Sequence, residues 1–255
     1  MEEDTTVVVR TLGTFAVTRA DGSDVMIDEW KTGKTRDLLR ILALSVGRPV
    51  PQTRLMELLW PHVPDARRRN SLRSAASQIR RTLRTNSVVR QPNGLMLVDA
   101  WVDTLAFRGH ARAAHVHGRA GRHAEVVELY RLADDLYVGD FEADDYDGEW
   151  ARSEARNLRE VRNELLCDAA ASYLALGQPF EARDLATEAI ELNPSSEAAH
   201  RLLMCALADL GEITQALRVF ESYRTHLADE LGADPSYQTR ELHLRLLRGW
   251  DRETG

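Results

Sequence analysis

Lysine is almost missing from this sequence: Lys31 and Lys34 stand against 31 arginines in 255 residues. A basic surface here is therefore made of planar guanidinium groups, which grip phosphates and base edges with two parallel hydrogen bonds where an ammonium offers a point charge. A GC-rich genome also produces such a ratio. Cysteine is equally scarce. Cys167 and Cys205 lie on helical patterns among apolar neighbours and read as buried free thiols rather than a bridge or a redox pair, and there is no paired CxxC motif to suggest a zinc site. HExxH is missing, and His115 and His117, two residues apart, point to different sides of a helix, so no metal and no other cofactor is expected. No apolar run approaches the ~20 residues of a membrane span, and the opening MEEDTTVVVR is acidic where a secretory signal is basic. The expected location is the cytoplasm, with no membrane partner. Thr32-Gly33-Lys34-Thr35 imitates the end of a phosphate-binding loop, but that loop needs glycine at position 28, where Asp28 stands. No carboxylate is placed with a nucleophile or base for catalysis, so no catalytic residues and no enzyme are expected.

What is present is unevenly charged. Residues 1–106 carry 16 basic and 12 acidic side chains, residues 107–255 carry 17 and 28, and the formal net charge is −7. A polyanion is drawn to the first part and repelled by the second. Residues 66–90 concentrate the effect, with eight arginines and no carboxylate.

At ~100° per residue, residues 66–84 (ARRRNSLRSAASQIRRTLR) place Leu72, Ala75, Ala76, Ile79 and Leu83 on one apolar stripe. Asn70, Arg73, Ser74, Ser77, Arg81 and Arg84 project from the other side. The helix is roughly 28 Å long at ~1.5 Å per residue, and suits a DNA major groove about 12 Å wide. A solvated charged face is the plain alternative, and the neighbouring elements decide between them. Residues 7–18 and 25–27 read as strands joined through Ala20-Asp21-Gly22 into a short antiparallel sheet. Thr32 or Thr35 caps a helix running to about residue 46, and a second helix covers residues 53–60. After the basic helix, residues 87–98 form a hairpin about Pro92-Asn93-Gly94. Strand, strand, helix, helix, basic helix, hairpin is the order of a helix-turn-helix with a wing.

The remainder, residues 107–255, is helical in pattern, interrupted by an acidic connector over residues 139–148. Helices are expected over about 107–117, 122–137, 149–176, 180–192, 197–210, 214–231 and 235–247. Gly177 and Gly211 lie 34 residues apart, as do Ala182 and Ala216. Thirty-four is the tetratricopeptide period, and such repeats stack into a protein-binding surface. The fold class expected is mainly α: an N-terminal winged helix-turn-helix domain over residues 1–106, then an all-α tetratricopeptide-like domain over residues 107–255. A plain helical bundle is the alternative for the second part.

LGTFAV, KTRDLLRILAL, RLMELLWP, SLRSAASQIRRTL, the wing and Val102-Asp103-Thr104-Leu105-Ala106-Phe107 resemble the winged helix of the Streptomyces antibiotic regulatory protein (SARP) family, akin to OmpR/PhoB-type domains. Gly139-Asp140-Phe141, Trp150, Gly177, residues 197–203, Gly211 and the tail LADELGADPS (residues 227–236) resemble its bacterial transcriptional activator domain (BTAD). Leu95 departs from the pattern, where members often have an aromatic residue.

The basic face reads as a DNA interface. Arg69, Asn70, Arg73, Ser74, Ser77 and Arg81 are expected to meet base edges. Arg67, Arg68, Arg84, Arg90 and Asn93 of the wing, and Gln52, Thr53 and Arg54 are expected to hold the backbone. The resemblance implies an activator of secondary-metabolite genes that binds promoter direct repeats in double-stranded DNA as a homodimer. It also implies recruitment of RNA polymerase through the σ factor and α subunit, and residence on the nucleoid when bound. The alternative is an adaptor that uses the winged helix and repeat surface to bind proteins.

Overall fold

The computed structural model describes residues 6–142 and 149–249, so the end of the acidic connector, residues 143–148, lies outside the described residues. Two compact units divide the chain: residues 1–108 with 134–158, and residues 109–133 with 159–255.

The first unit contains β1 (Val7–Arg10), β2 (Ala16–Thr18), α1 (Gly33–Ala43), α2 (Gln52–Leu59), α3 (Asp65–Leu83), β3 (Val88–Gln91), β4 (Gly94–Leu97) and β5 (Ala100–Val102). The order in its main sheet is β2-β1-β5: β1 runs antiparallel to β2, with Val9 opposite Val17, and parallel to β5, with Val9 opposite Val102. Hairpin β3–β4 is the wing. Thr32 caps α1 by accepting the Thr35 amide, and Leu38, Leu39 and Leu42 are fully buried from it. They share one core with Leu55, Leu59, Leu72, Ile79, Leu83, Val88 and Leu97, so α1 and α2 form the seat on which α3 and the wing rest. This is a winged helix-turn-helix.

The sheet differs from expectation in detail. Residues 7–18 are two strands, because the chain turns between them at Gly13, whose φ of +76° favours glycine, and because another group captures the Thr11 and Leu12 amides. That group is the Asp103 carboxylate, 3% exposed, which accepts the Thr11 amide at 2.8 Å, the Thr11 hydroxyl at 2.9 Å and the Leu12 amide at 3.0 Å. Residues 25–27 are not a full strand: the Val25 amide bonds the Val17 carbonyl at 2.8 Å, and Ile27–Glu29 is a 3-10 turn. Asp103 also bonds the amide of Thr104 at 2.7 Å and opens α4 (Asp103–Arg119), which starts four residues before the expected point. Residues 134–158 rejoin this unit through the Phe141 bridge to Leu12 and the Trp150 ring, which packs on its core. A single cut after residue 106 does not reproduce that grouping.

The second unit takes the later part of α4, then α5 (His123–Asp134) as far as residue 133, α6 (Glu149–Ala175) from residue 159, α7 (Pro179–Leu192), α8 (Glu197–Asp209), α9 (Ile213–Leu231) and α10 (Tyr237–Arg248). The 34-residue spacing has a structural counterpart. Gly177 and Gly211 both turn left-handed, φ +74° and +80°, and the next amide in each case reaches back to a carbonyl of the preceding helix, Gln178 to Tyr173 at 2.9 Å and Glu212 to Leu207 at 2.8 Å. Ala182 and Ala216 are both fully buried where helices meet, as small residues at close crossings must be. The repeat is tetratricopeptide-like. Cys167 and Cys205 are free thiols, half-buried where full burial was expected, because both line a hollow of about 440 Å³ beside Arg201 and Leu242.

Candidate nucleic-acid interface

Nothing interrupts α3: it holds no glycine or proline, Asp65 complements the positive end of its dipole, and Arg84 ends it in the left-handed conformation at φ 56°. Leu72, Ala75, Ala76, Ile79 and Leu83 are all buried, as the periodicity predicts. Polar groups on the inner side fasten the helix to everything around it. Gln78 accepts the Thr35 hydroxyl at 3.0 Å and donates to the Glu29 carbonyl at 3.4 Å. The buried Arg19 donates from Nε to the Thr82 carbonyl at 2.7 Å and pairs with Glu29. The Met26 amide, and then the Arg19 guanidinium, hold the Glu29 carboxyl below the usual range against a partial burial penalty. Arg80 turns inward, its Nε donating to the Val88 carbonyl of the wing at 2.6 Å.

The opposite face is open. Arg67, Arg69, Asn70, Arg73, Ser74, Ser77, Arg81 and Arg84 are exposed. Among the described residues no ion pair holds Arg69, Arg73, Arg81 or Arg90. Arg84 stands 3.7 Å from Asp21 with both side chains more than half exposed, so solvent screens the pairing. The Ser23 hydroxyl and amide do more than Arg84 to keep Asp21 ionised. Arg68 is the exception on this face: half-buried, it bonds the Val63 carbonyl and lies 3.6 Å from Asp65.

Arg90 and Asn93 are exposed on the wing, and Thr53 and Arg54 on α2, with Gln52 half-buried. Gly94 is the tightest point of this assembly, since a Cβ there would sit 2.1 Å from the Val50 carbonyl oxygen. That approach lets the Leu95 and Val50 amides exchange bonds of 3.0 and 2.7 Å, tying the wing to the start of α2. The result brings Gln52, Arg73, Arg80 and Arg90, from three elements, around one hollow of about 140 Å³.

Sequence reasoning gave Lys31 and Lys34 no part in this surface. They line a second hollow, of about 570 Å³, with Arg73 and Arg81. The signal available was their position before and within the first turn of α1 in a chain otherwise devoid of lysine.

Residues 102–247 match the bacterial transcriptional activator domain model. The chain belongs to that family. Its relatives are SARP regulators: it is 31% identical to the regulatory protein AfsR of Streptomyces coelicolor over 86% of this chain and 23% of AfsR. It is 28% identical to the regulatory protein DnrI of Streptomyces peucetius over 84% of each chain. The transcriptional regulator RedD of Streptomyces coelicolor is 27% identical over 85% of this chain and 65% of its own. The chain therefore spans less than a quarter of the AfsR relative and most of DnrI. Among solved structures, Mycobacterium tuberculosis EmbR, in complex with a low-affinity phosphopeptide, has the same fold, with a TM-score of 0.84 and 24% identity over 95% of this chain and 65% of that one. The SARP relatives are regulators of transcription. Among the described residues of this SARP, no helix is long and apolar enough to cross a membrane.

Proposed function

We propose that this SARP is a sequence-specific activator that binds promoter DNA through α3 and the wing. The observation that carries the reading is the exposed face of α3, where Arg69, Arg73 and Arg81 stand without an ion-pair partner among the described residues. Arg69, Asn70, Arg73, Ser74, Ser77 and Arg81 read base edges. Arg67, Arg68, Arg84, Arg90, Asn93, Gln52, Thr53 and Arg54 hold phosphates and set the register. Residues 1–106 supply the DNA contacts. The acidic residues 107–255 supply dimer contacts and recruit RNA polymerase through its σ factor and α subunit. The sites are direct repeats upstream of secondary-metabolite genes, and the protein works in the cytoplasm on the nucleoid. SARP membership and the charge division support this.

A gel shift tests it, using the upstream region of the gene itself and neighbouring promoters at two salt concentrations. A sequence-preferring complex that weakens with salt is expected, with a log-log slope of about −0.9 per phosphate neutralised. No such complex at either salt favours the adaptor.

A further inference from the structure

Helices α8 and α10 of the second unit begin at N-cap serines, Ser196 and Ser236, and can be matched position by position from there. Leu202 and Ala206 of α8 pack with Tyr173 and Ala182 of the helices before it. At the same distances from the cap, Leu242 and Leu246 of α10 pack with Met204 and Phe220. The other side of α8 is covered by α9: His200 stacks on Tyr223, and Met204, Leu207 and Ala208 cluster with Ala216 and Phe220. All four of these α8 residues are at most 6% exposed. Their counterparts on α10 are Arg240, Leu244, Leu247 and Arg248, and every one is exposed, the two leucines at 42% and 59%. Tyr237, 71% exposed, lies on the same side, since at ~100° per residue these five fall within about a third of a turn. The last helix of a repeat stack ordinarily turns a polar face outward, whereas α10 turns out an apolar stripe between two arginines.

We propose that the outer face of α10 docks an acidic amphipathic helix of another protein, in the way that α9 docks on α8. Tyr237, Leu244 and Leu247 supply the apolar contact, read by a partner at helical spacing. The charge of the partner follows from the two positions that differ most. A helix lying where α9 lies on α8 would cover Arg240 and Arg248, where α8 offers His200 and Ala208, and covering a guanidinium without a counter-charge is costly. Among the described residues no ion pair holds Arg240 or Arg248. The occupant therefore carries carboxylates beside its apolar stripe. α10 holds Arg240, Arg245 and Arg248 against Glu241 alone, in a part of the chain where acidic side chains outnumber basic ones 28 to 17. A second copy of α10 would set arginine against arginine. The docking site is independent of α3 and of the DNA reading.

The probes are two fluorescein-labelled peptides of residues 213–231, the α9 sequence, one carrying Y223E and the other Y223K, so that the altered side chain meets Arg240 as Tyr223 meets His200. Each is titrated by fluorescence anisotropy against the full chain and its L244S/L247S and R240E variants. The Y223E peptide is expected to bind the unaltered chain about two- to fivefold more tightly than the Y223K peptide, and R240E should reverse that preference. L244S/L247S should weaken both peptides by more than about tenfold. Leu244 and Leu247 are exposed, so their replacement should leave the fold intact, which circular dichroism checks. If it does not, the reversal by R240E alone decides. Equal affinity of the two peptides, binding indifferent to the variants, or no binding overturns the inference. Sedimentation equilibrium of the chain without peptide gives a second readout: a dimer that L244S/L247S loses makes a second copy the occupant and overturns it as well.

Discussion

Arg80 of α3 and Val88 of β3 are joined by a 2.6 Å hydrogen bond from the guanidinium Nε to the carbonyl oxygen, so the basic helix and the wing are held in one geometry. Arg80→Ala removes a charged donor at a half-buried site and is expected to lower the stability of the first unit by about 1.5–3 kcal/mol. Its DNA affinity should fall as well, although Arg80 lies off the exposed face. Urea unfolding and fluorescence anisotropy on the same variant check both, and unchanged affinity would separate the wing from binding.

Asp103 is expected to matter more for folding than any residue of the basic face. Asp103→Ala leaves the buried Thr11 and Leu12 amides without their acceptor, and each lost partner costs about 1–3 kcal/mol. A fall of more than about 10 °C in the melting temperature of the first unit should follow, on the scale of several degrees per kcal/mol for a unit of this size. A scanning calorimetry trace with an unaltered transition would contradict the role given to this carboxylate.

Acid should weaken the second unit through His200. Its ring stacks on Tyr223 with centroids 4.2 Å apart, its Nδ1 lies 2.9 Å from the Ser196 carbonyl, and burial pulls its pKa below the ordinary 6.5. His226 pushes in the same direction, and Glu197 opposes. A depressed pKa means that the unfolded chain takes up the proton first. The stabilisation is therefore complete above pH 6.5 and disappears as the pH falls through the lower folded value. Melting curves from pH 7.5 to 5 should show that decline, and His200→Phe should flatten it.

Cys167 should resist alkylation. Burial raises its thiol to about 11, so at pH 8 only about one molecule in a thousand carries the thiolate that reacts. Iodoacetamide labelling of the folded chain at pH 8, read by mass spectrometry, should be far slower at Cys167 than in the urea-unfolded chain.

The α3 helix was legible in the sequence because Leu72, Ala75, Ala76, Ile79 and Leu83 repeat with a helical period that no other element in the chain disturbs. The 34-residue repeat was legible for a similar reason, since Gly177 and Gly211 terminate helices by the same local geometry. The sheet was not. β2 and β5 are three residues long, too short for alternation to register, and β5 pairs in parallel with β1 more than 90 residues away. The role of Asp103 was not legible, because its partners Thr11 and Leu12 are set by tertiary contact. The place of Lys31 and Lys34 beside this surface was not legible for the same reason: the arginines that share their hollow come from a helix some 40 residues later.

The most direct measurement compares Arg73→Ala and Arg81→Ala on two duplexes of equal length, one from the gene's own upstream region and one of random sequence. If the exposed face of α3 reads bases, each variant should lose about 1–3 kcal/mol more on the upstream duplex than on the random one, roughly 5- to 150-fold. Equal losses on both duplexes would contradict base reading and leave these arginines as holders of phosphate alone.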